Sequence, residues 1–256
     1  MDKITVVSRW YNEELLAPLF FNHYSYCDEI RILLETDTND KTREIASHYP
    51  NVIIRDVHDP DGMDNVNMLA DINWGITEVS SGWVYMVDAD EFIFPEHHED
   101  PHTFLGRQTA EVVNCTYFHV YRHVTESDID YSLPTIPQRV HALEGGPEHK
   151  NWFWKPSVFR AESKVQLTIG NHRFVGEHSV SNERYIGAHW KQADPSICIH
   201  RRLSNMLRHS KHDHKRRWGY HDFHVTEEGL MAQLEGKNDL PELRYFTEGL
   251  NNAKRI

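Results

Sequence analysis

The sequence predicts an α/β fold with a mostly parallel central sheet flanked by helices. Short runs rich in β-branched and aromatic residues alternate with helical stretches through about the first ninety residues. The helical stretches are long enough to cross between parallel strands. The second to fourth predicted strands are almost continuously apolar, which is typical of strands buried on both faces.

Each element has its own signal. The patterns predict strands at 4–7, 30–34, 52–54 and 83–87, and helices at 13–24, 40–48 and 64–80. Apolar residues in helix 13–24 form one stripe, and a second stripe ends at Val79 in helix 64–80. Asp40 is a suitable N-cap for the helix between them.

Beyond residue 95 the regular alternation is lost. Strands are predicted at 112–120 and 158–159, and a long stretch between them is rich in Pro, Gly and His. Such a stretch is usually functional or mobile. Helices are predicted at 201–217 and 226–234. We expect one domain over residues 1–256 whose character changes near residue 95.

Composition narrows the possible functions. The chain has 256 residues and a formal net charge of -12, which argues against nonspecific nucleic-acid binding by its whole surface. Residues 201–217 are nevertheless basic, which indicates either a solvated helix face or a surface that binds phosphate. No run of 18 apolar residues and no signal peptide is visible, so we expect a cytoplasmic protein, with peripheral membrane contact still open. Three widely spaced cysteines predict buried free thiols.

The most informative stretch is the end of the fourth predicted strand. Val84–Val87 is apolar, and Asp88 and Asp90 follow it directly. Ligands of open α/β sheets bind just outside the carboxyl ends of the strands. Two carboxylates at positions i and i+2 can together hold a divalent cation, which can in turn bind a diphosphate.

Four motifs in this half resemble those of family-2-like glycosyltransferases of the GT-A, Rossmann-like fold. Residues 6–14 (VVSRWYNEE) look like their first strand and its Asn-Glu loop, and residues 35–42 resemble their acidic turn after strand 2. Asn73 stands where an Ala-Leu-Asn segment usually precedes the metal motif. Residues 87–92 are similar to the D-x-D motif in its D-x-D-E-F form. The order and spacing agree over about residues 3–95.

The resemblance implies a nucleotide-sugar donor bound by residues 1–95 and an acceptor bound by residues 96–256. It implies that Asp88 and Asp90 bind Mn²⁺ or Mg²⁺. The implied nucleotide contacts are Arg9, Asn12, Glu35, Asp37, Asn67 and Asp88. Asp37 has a plainer alternative, because aspartates often only shape a turn.

The chain departs from the family pattern in two places. Asp37 and Lys41 stand where the acidic turn usually has glycine, so the local backbone can differ. Asn67 stands near a position that is often basic. One diphosphate contact must then come from elsewhere, and the basic run 201–217 is a candidate.

The second half offers further candidates. His200 resembles a metal-completing histidine of related enzymes, with His172 as its rival, and imidazole suits Mn²⁺ better than Mg²⁺. The base that accepts the acceptor's proton is predicted to be Glu177. Glu91 is either catalytic or structural. Other candidates for the base are Asp128, Glu144 and Glu148, and residues 152–154 (WFW) either stack on a sugar or join the core.

The leading prediction is a metal-dependent, hexosyltransferase-type glycosyltransferase, inverting by resemblance, that moves a sugar from a UDP-linked donor to a hydroxyl. The acceptor is open: a glycan, a lipid-linked sugar, a protein or, least expected, a nucleic acid. One alternative is a metal-dependent nucleotidyltransferase or phosphodiesterase, which the absence of a Gly-rich loop after strand 1 disfavours. Another is a nucleotide-sugar-binding module without activity, which the intact Asp37, Asp88 and Asp90 disfavour.

Overall fold

The computed structural model describes residues 2–97, 99–121, 142–145, 154–219 and 223–236. Within these ranges lie a nine-stranded sheet, a separate two-stranded sheet and helices on both faces of the large sheet. The α/β class with a central sheet flanked by helices is therefore confirmed. None of the described helices is long and apolar enough to cross a membrane.

The first half of the chain alternates strand and helix as predicted. Its elements are β1 (Ile4–Trp10), α1 (Ala17–His23), β2 (Glu29–Glu35), α2 (Thr42–Ala46), β3 (Val52–Val57), α3 (Asn65–Thr77) and β4 (Trp83–Met86). The four strands are parallel in the order β3-β2-β1-β4. Because β2 and β4 lie on opposite sides of β1, a crevice forms where the strand order reverses, at the carboxyl ends of β1 and β4.

The second half extends the same sheet in the order β4-β8-β6-β11-β5, with β7 also paired to β6. Among the described strands of this half, only β6 and β11 pair in parallel. The strands are β5 (Glu91–Pro95), β6 (Val112–Tyr121), β7 (Ala142–Gly145), β8 (Trp154–Arg160), β9 (Gln166–Leu167), β10 (Phe174–Val175) and β11 (Tyr185–Gln192). The helices are α4 (Pro101–Gly106), α5 (Pro195–Arg208), α6 (Lys211–Arg216) and α7 (Glu227–Glu235).

Two predictions about this half were wrong in detail. The single helix predicted at 201–217 is α5 followed by α6, because Ser210 interrupts it and accepts a hydrogen bond from the Asp213 amide as the N-cap of α6. The helix α4 and five strands of this half were missed: β5, β7, β9, β10 and β11. All three buried cysteines are free thiols, as predicted.

Close packing of α3 against the sheet fixes its position. A Cβ atom on Gly75 would lie 2.9 Å from Leu33 Cδ1 and 3.1 Å from Val7 Cγ1, so a larger residue would require these side chains or the helix to shift. The helix begins at the N-cap Asp64, whose carboxylate accepts hydrogen bonds from the amides of Val66 and Asn67. Its N-terminus therefore lies close to the crevice, which Asn65 and Met68 line.

Candidate functional site

A cleft of about 270 Å³ opens at the carboxyl ends of β1, β2 and β4. Its walls are the loop after β1, the turn after β4, the start of α3, the end of β11 and one face of α5. That face carries Arg201, Ser204, Asn205 and Arg208, which are spaced to lie on one side of a helix. The cleft therefore occupies the topological switch point, where open α/β sheets bind their ligands.

Asp88 and Glu91 share one cation at the turn after β4. Lys155 of β8 places its Nζ 3.0 Å from Asp88 Oδ2 and also donates to Glu91. Glu91 is completely buried and accepts a hydrogen bond of 3.0 Å from the Asp88 amide. Burial lowers the pKa of Lys155, whereas the two carboxylates raise it. The carboxylates have the larger combined effect, so this pKa lies above its ordinary value. Glu91 therefore lies beneath the turn and does not line the cleft.

Asp90 is paired with a cation of α5. Its side chain is only 3% exposed, and its Oδ2 lies 2.6 Å from Arg201 Nη1 and 3.4 Å from His189 Nε2. Burial opposes ionisation, but Arg201 and His189 hold the pKa of Asp90 well below its usual range. Arg201 also reaches Glu13, with 3.0 Å between Nη2 and Oε1. Burial, partly offset by Arg201, raises the pKa of Glu13 to about 8.

Glu13, His189 and Arg201 are cleft residues that the sequence motifs do not single out. Glu13 belongs to the Asn-Glu pair after strand 1, so the motif contained it without indicating a separate role. His189 lies on the missed strand β11. In the sequence Arg201 is only part of a basic run, because nothing there shows that it reaches the turn after β4.

Arg9 is held by three carboxylates. It donates to Glu35 at 2.6 Å, to Asp59 at 2.8 Å and to Asp71 at 3.1 Å. Glu35 also accepts from Arg208 of α5. Both Glu35 oxygens therefore already accept arginine hydrogen bonds, and the network joins α5 to the ends of β1 and β2. The Arg208 guanidinium lies 3.2 Å from the ring centroid of Tyr11 at the cleft wall.

The remaining predicted nucleotide contacts are divided between the cleft and the surface. Asn12 lines the cleft in the left-handed region, with φ of 51°, and exchanges hydrogen bonds of 2.9 Å with Asn39. Asp37 is exposed and lies outside the lining. Asn67 is also exposed, in the first turn of α3, outside the lining. Their predicted roles stay predictions.

The predicted residues of the second half are likewise divided. His200 is exposed on α5 and lines the cleft, whereas His172 and Glu177 are exposed outside the lining. Glu144 lies in β7. The other candidates of this half, Asp128, Glu148, Trp152 and Phe153, fall outside the described residues.

Among the described residues, one group of three has ligand-type atoms within 4.8 Å of one another: Asp64, His212 and Asp213. Asp and His are suitable ligands for a divalent cation. The carboxylates are nevertheless already hydrogen-bonded, since Asp64 accepts from Ser210 Oγ at 2.8 Å and Asp213 accepts from the Asn65 side-chain amide. As it stands, the group links α3 to α6.

Asp88 and Asp90 do not fit a divalent cation in the arrangement described. A shared ion requires carboxylate oxygens that converge without a competing cation between them. Here an ammonium group lies on Asp88 and a guanidinium group on Asp90. Among the described residues, Asp88 and Asp90 also form no group with His189 or His200 in which three ligand-type atoms all lie within 4.8 Å of one another.

Comparison with known proteins gives distant structural similarity. No protein-family model matches the chain, and no curated protein sequence matches it. Staphylococcus aureus TarS 1-349 in complex with UDP-GlcNAc is similar over 92% of this chain and 71% of that chain, at 15% identity and a TM-score of 0.41.

Two further structures cover less of the chain. Glucosyl-3-phosphoglycerate synthase from Mycobacterium tuberculosis, with Mn²⁺, UDP and glucosyl-3-phosphoglycerate, matches 45% of this chain and 44% of that chain at 19% identity and a TM-score of 0.31. A 4-diphosphocytidyl-2C-methyl-D-erythritol synthase matches 63% and 76% at 8% identity and a TM-score of 0.35. At these values the similarity carries no conclusion about activity.

Proposed function

We propose that this protein is a glycosyltransferase that moves a sugar from a nucleotide diphosphate, with UDP as the expected nucleotide, to a hydroxyl acceptor. The observation that carries the proposal is the cleft at the switch point between β1 and β4. Five of the residues that the family resemblance assigns to the donor site line it: Arg9, Asn12, Glu35, Asp88 and Asp90. They come from three separate motifs, which the fold brings to one edge of the sheet.

The charges around the cleft suit a departing diphosphate. Negative charge accumulates on the leaving nucleotide as the glycosidic bond breaks, and fixed positive groups stabilise it. Lys191, Arg201 and Arg208 line the cleft on the side of β11 and α5. A divalent cation or a protein cation can meet the diphosphate, so every binding assay should be run with and without Mn²⁺.

The acceptor side of the proposal is less specific. An inverting transfer needs a carboxylate that takes the proton of the acceptor hydroxyl. Burial against Lys155 makes Glu91 a poor candidate, which leaves Glu177 as the proposed base, with Asp128, Glu144 and Glu148 as alternatives. The acceptor classes to test are glycans, lipid-linked sugars and other hydroxyl compounds.

The first test is nucleotide binding by thermal shift and calorimetry. UDP, GDP, CDP, ADP and dTDP are each added with Mn²⁺ and with EDTA. We expect one nucleotide to raise the melting temperature. Asp37→Asn, at an exposed position outside the cleft lining, then tests whether the acidic turn takes part in nucleotide binding. A folded protein that no nucleoside diphosphate stabilises would contradict the proposal.

The second test identifies the reaction. The stabilising nucleotide is supplied as its sugar conjugate, and products are followed by chromatography with a panel of hydroxyl acceptors. Release of the nucleoside diphosphate with a glycosylated acceptor supports a glycosyltransferase. Pyrophosphate release or hydrolysis of a phosphodiester would instead identify a nucleotidyltransferase or phosphodiesterase. Tight binding without turnover would identify a binding module.

A further inference from the structure

Each carboxylate of the motif after β4 is already paired with a protein cation. Asp88 is 3.0 Å from Lys155 Nζ, and Asp90 is 2.6 Å from Arg201 Nη1. The two cations come from different elements, β8 and α5, and neither is adjacent to the motif in sequence. The motif therefore acts in this structure as an anchor for two basic side chains.

In the pair of Asp90 and Arg201, the Arg201 guanidinium is the group that faces the cleft. Asp90 has a side-chain exposure of 3%, whereas Arg201 has 21% and lines the cleft. Glu13 fixes the guanidinium from a second side, at 3.0 Å. Arg201 is thus held from behind by the side chains of Asp90 and Glu13, while part of it remains accessible from the cleft.

A second ion pair fixes the position of α5 relative to the sheet. Arg208, seven residues after Arg201 on the same face of the helix, pairs with Glu35 at the end of β2. Two arginines of one helix therefore reach the ends of two strands on opposite sides of β1. This double attachment aligns α5 with the carboxyl edge of the sheet and sets Arg201 over the turn after β4.

We infer that the cation opposite the donor diphosphate is the guanidinium of Arg201, held in place by Asp90, and that donor binding does not depend on a divalent ion ligated by Asp90. The inference rests on the proposed function. A guanidinium presents several N–H donors in a planar fork that matches phosphate oxygens. Arg201 is then a donor-binding residue, and Asp90 is a positioning residue that acts through it.

The decisive measurement uses the unaltered protein. The dissociation constant of UDP is determined by calorimetry in EDTA and in Mn²⁺ at equal ionic strength. We expect the two constants to agree within about threefold, since the protein supplies the positive charge. Binding in Mn²⁺ with none in EDTA would overturn the inference and leave the proposed function standing. A failure of UDP, GDP, CDP, ADP and dTDP to bind in both conditions would overturn both.

Substitutions then separate the roles of the two residues. In EDTA, Arg201→Gln should weaken UDP binding by at least about tenfold, the loss expected for one charge-assisted hydrogen bond. Lys215→Gln removes the same charge from an exposed site on α6 outside the cleft lining and should change binding by less than about twofold. Arg201→Lys, which keeps the charge and loses the fork, should fall between them.

Asp90→Asn tests positioning against ligation. It should weaken UDP binding less than Arg201→Gln does, and equally in EDTA and Mn²⁺, because the arginine remains. Two results together would overturn the inference. Asp90→Asn would lose UDP binding only in Mn²⁺, and Arg201→Gln would bind Mn²⁺ more tightly than the unaltered protein, as measured by electron paramagnetic resonance. Circular dichroism and melting temperatures confirm that each variant compared is folded.

Discussion

Arg208 of α5 and Glu35 at the end of β2 form an ion pair between residues 173 positions apart in the sequence. Their side chains are 12% and 2% exposed, so the pair is largely removed from water. Glu35 also accepts a hydrogen bond of 2.6 Å from Arg9. The carboxylate therefore connects a late helix to two early strands at the base of the cleft.

Replacing Arg208 with Met should destabilise the protein by about 1–3 kcal/mol, because a buried carboxylate loses one of its two arginine partners. The retained bond from Arg9 keeps the cost below that of a fully uncompensated charge. Urea unfolding measures the change. Hydrogen exchange should also show faster opening of α5, since Arg208 attaches this helix to the sheet edge.

The control for this prediction is Arg43→Met. Arg43 pairs with Asp56, and both side chains are about half exposed. Exposed pairs contribute little, so the change should stay below about 1 kcal/mol. Equal effects of the two substitutions would show that the Arg208–Glu35 pair does not hold α5 in place.

Much of the first half was predictable because its signals are local. The strands β1–β4 were recognised from short apolar runs, and the helices α1 and α3 from apolar stripes. Asp88 and Asp90 were recognised from their place directly after a strand. Asp40 was predicted as the N-cap of α2, but the observed N-cap is Lys41, and Asp40 only accepts a hydrogen bond from the Thr42 amide. The predicted helix was also longer than the observed one.

The partners of these motif residues were not predictable in the same way. Lys155, His189 and Arg201 reach the turn after β4 only because β8, β11 and α5 come to the same edge of the sheet. The strand order that brings them there depends on pairing between distant parts of the chain. For example, β11 pairs with β5 and β6, and no local sequence pattern indicates these pairings. The sequence therefore indicated two carboxylates but not the cations that neutralise them.

Lys155→Met should cost about 3–5 kcal/mol, because it leaves the buried Glu91 carboxylate without its cation. Adding Glu91→Gln should recover part of that loss, since no buried charge then remains unpaired. The two single variants and the double variant form a cycle that urea unfolding can measure. Additive effects would show that the two side chains do not interact in solution.

Glu91→Gln also tests a role of Glu91 in donor binding. Glu91 is completely buried, so the variant should keep its affinity for the stabilising nucleotide within about threefold once folding is confirmed. Calorimetry on the folded variant provides the measurement. A much larger loss of nucleotide affinity would show that Glu91 contributes to the cleft directly.

Gly187→Ala should destabilise the protein by about 1–3 kcal/mol through overpacking. A Cβ atom at this position of β11 would lie 2.5 Å from two ring atoms of Tyr117 and 3.0 Å from Cys115 Sγ. Gly106→Ala at the end of α4 is the matched control, because its Cβ would meet no atom within 4 Å. Thermal unfolding of the two variants should differ clearly, and similar melting temperatures would contradict the packing described for β11 and β6.

Stability should fall between pH 6.5 and pH 4 through His23. Burial, partly offset by the hydrogen bond to Ile93, lowers the pKa of His23 to about 4. Its Nε2 lies 3.0 Å from the Ile93 carbonyl oxygen, which can only accept, so the neutral ring carries its proton on Nε2. The unfolded chain takes up a proton near pH 6.5, whereas the folded chain resists it until about pH 4. The stabilisation is therefore complete above pH 6.5 and is lost as the pH falls toward 4.

The size of this effect can be isolated with His23→Gln, which keeps an N–H donor for Ile93 and does not titrate. Between pH 7.5 and pH 5 the unaltered protein should lose about 2 kcal/mol more unfolding free energy than this variant. His48→Gln, at an exposed position, should follow the unaltered protein at every pH. If the His23→Gln and unaltered curves run parallel over this range, His23 is not the group that links proton uptake to unfolding.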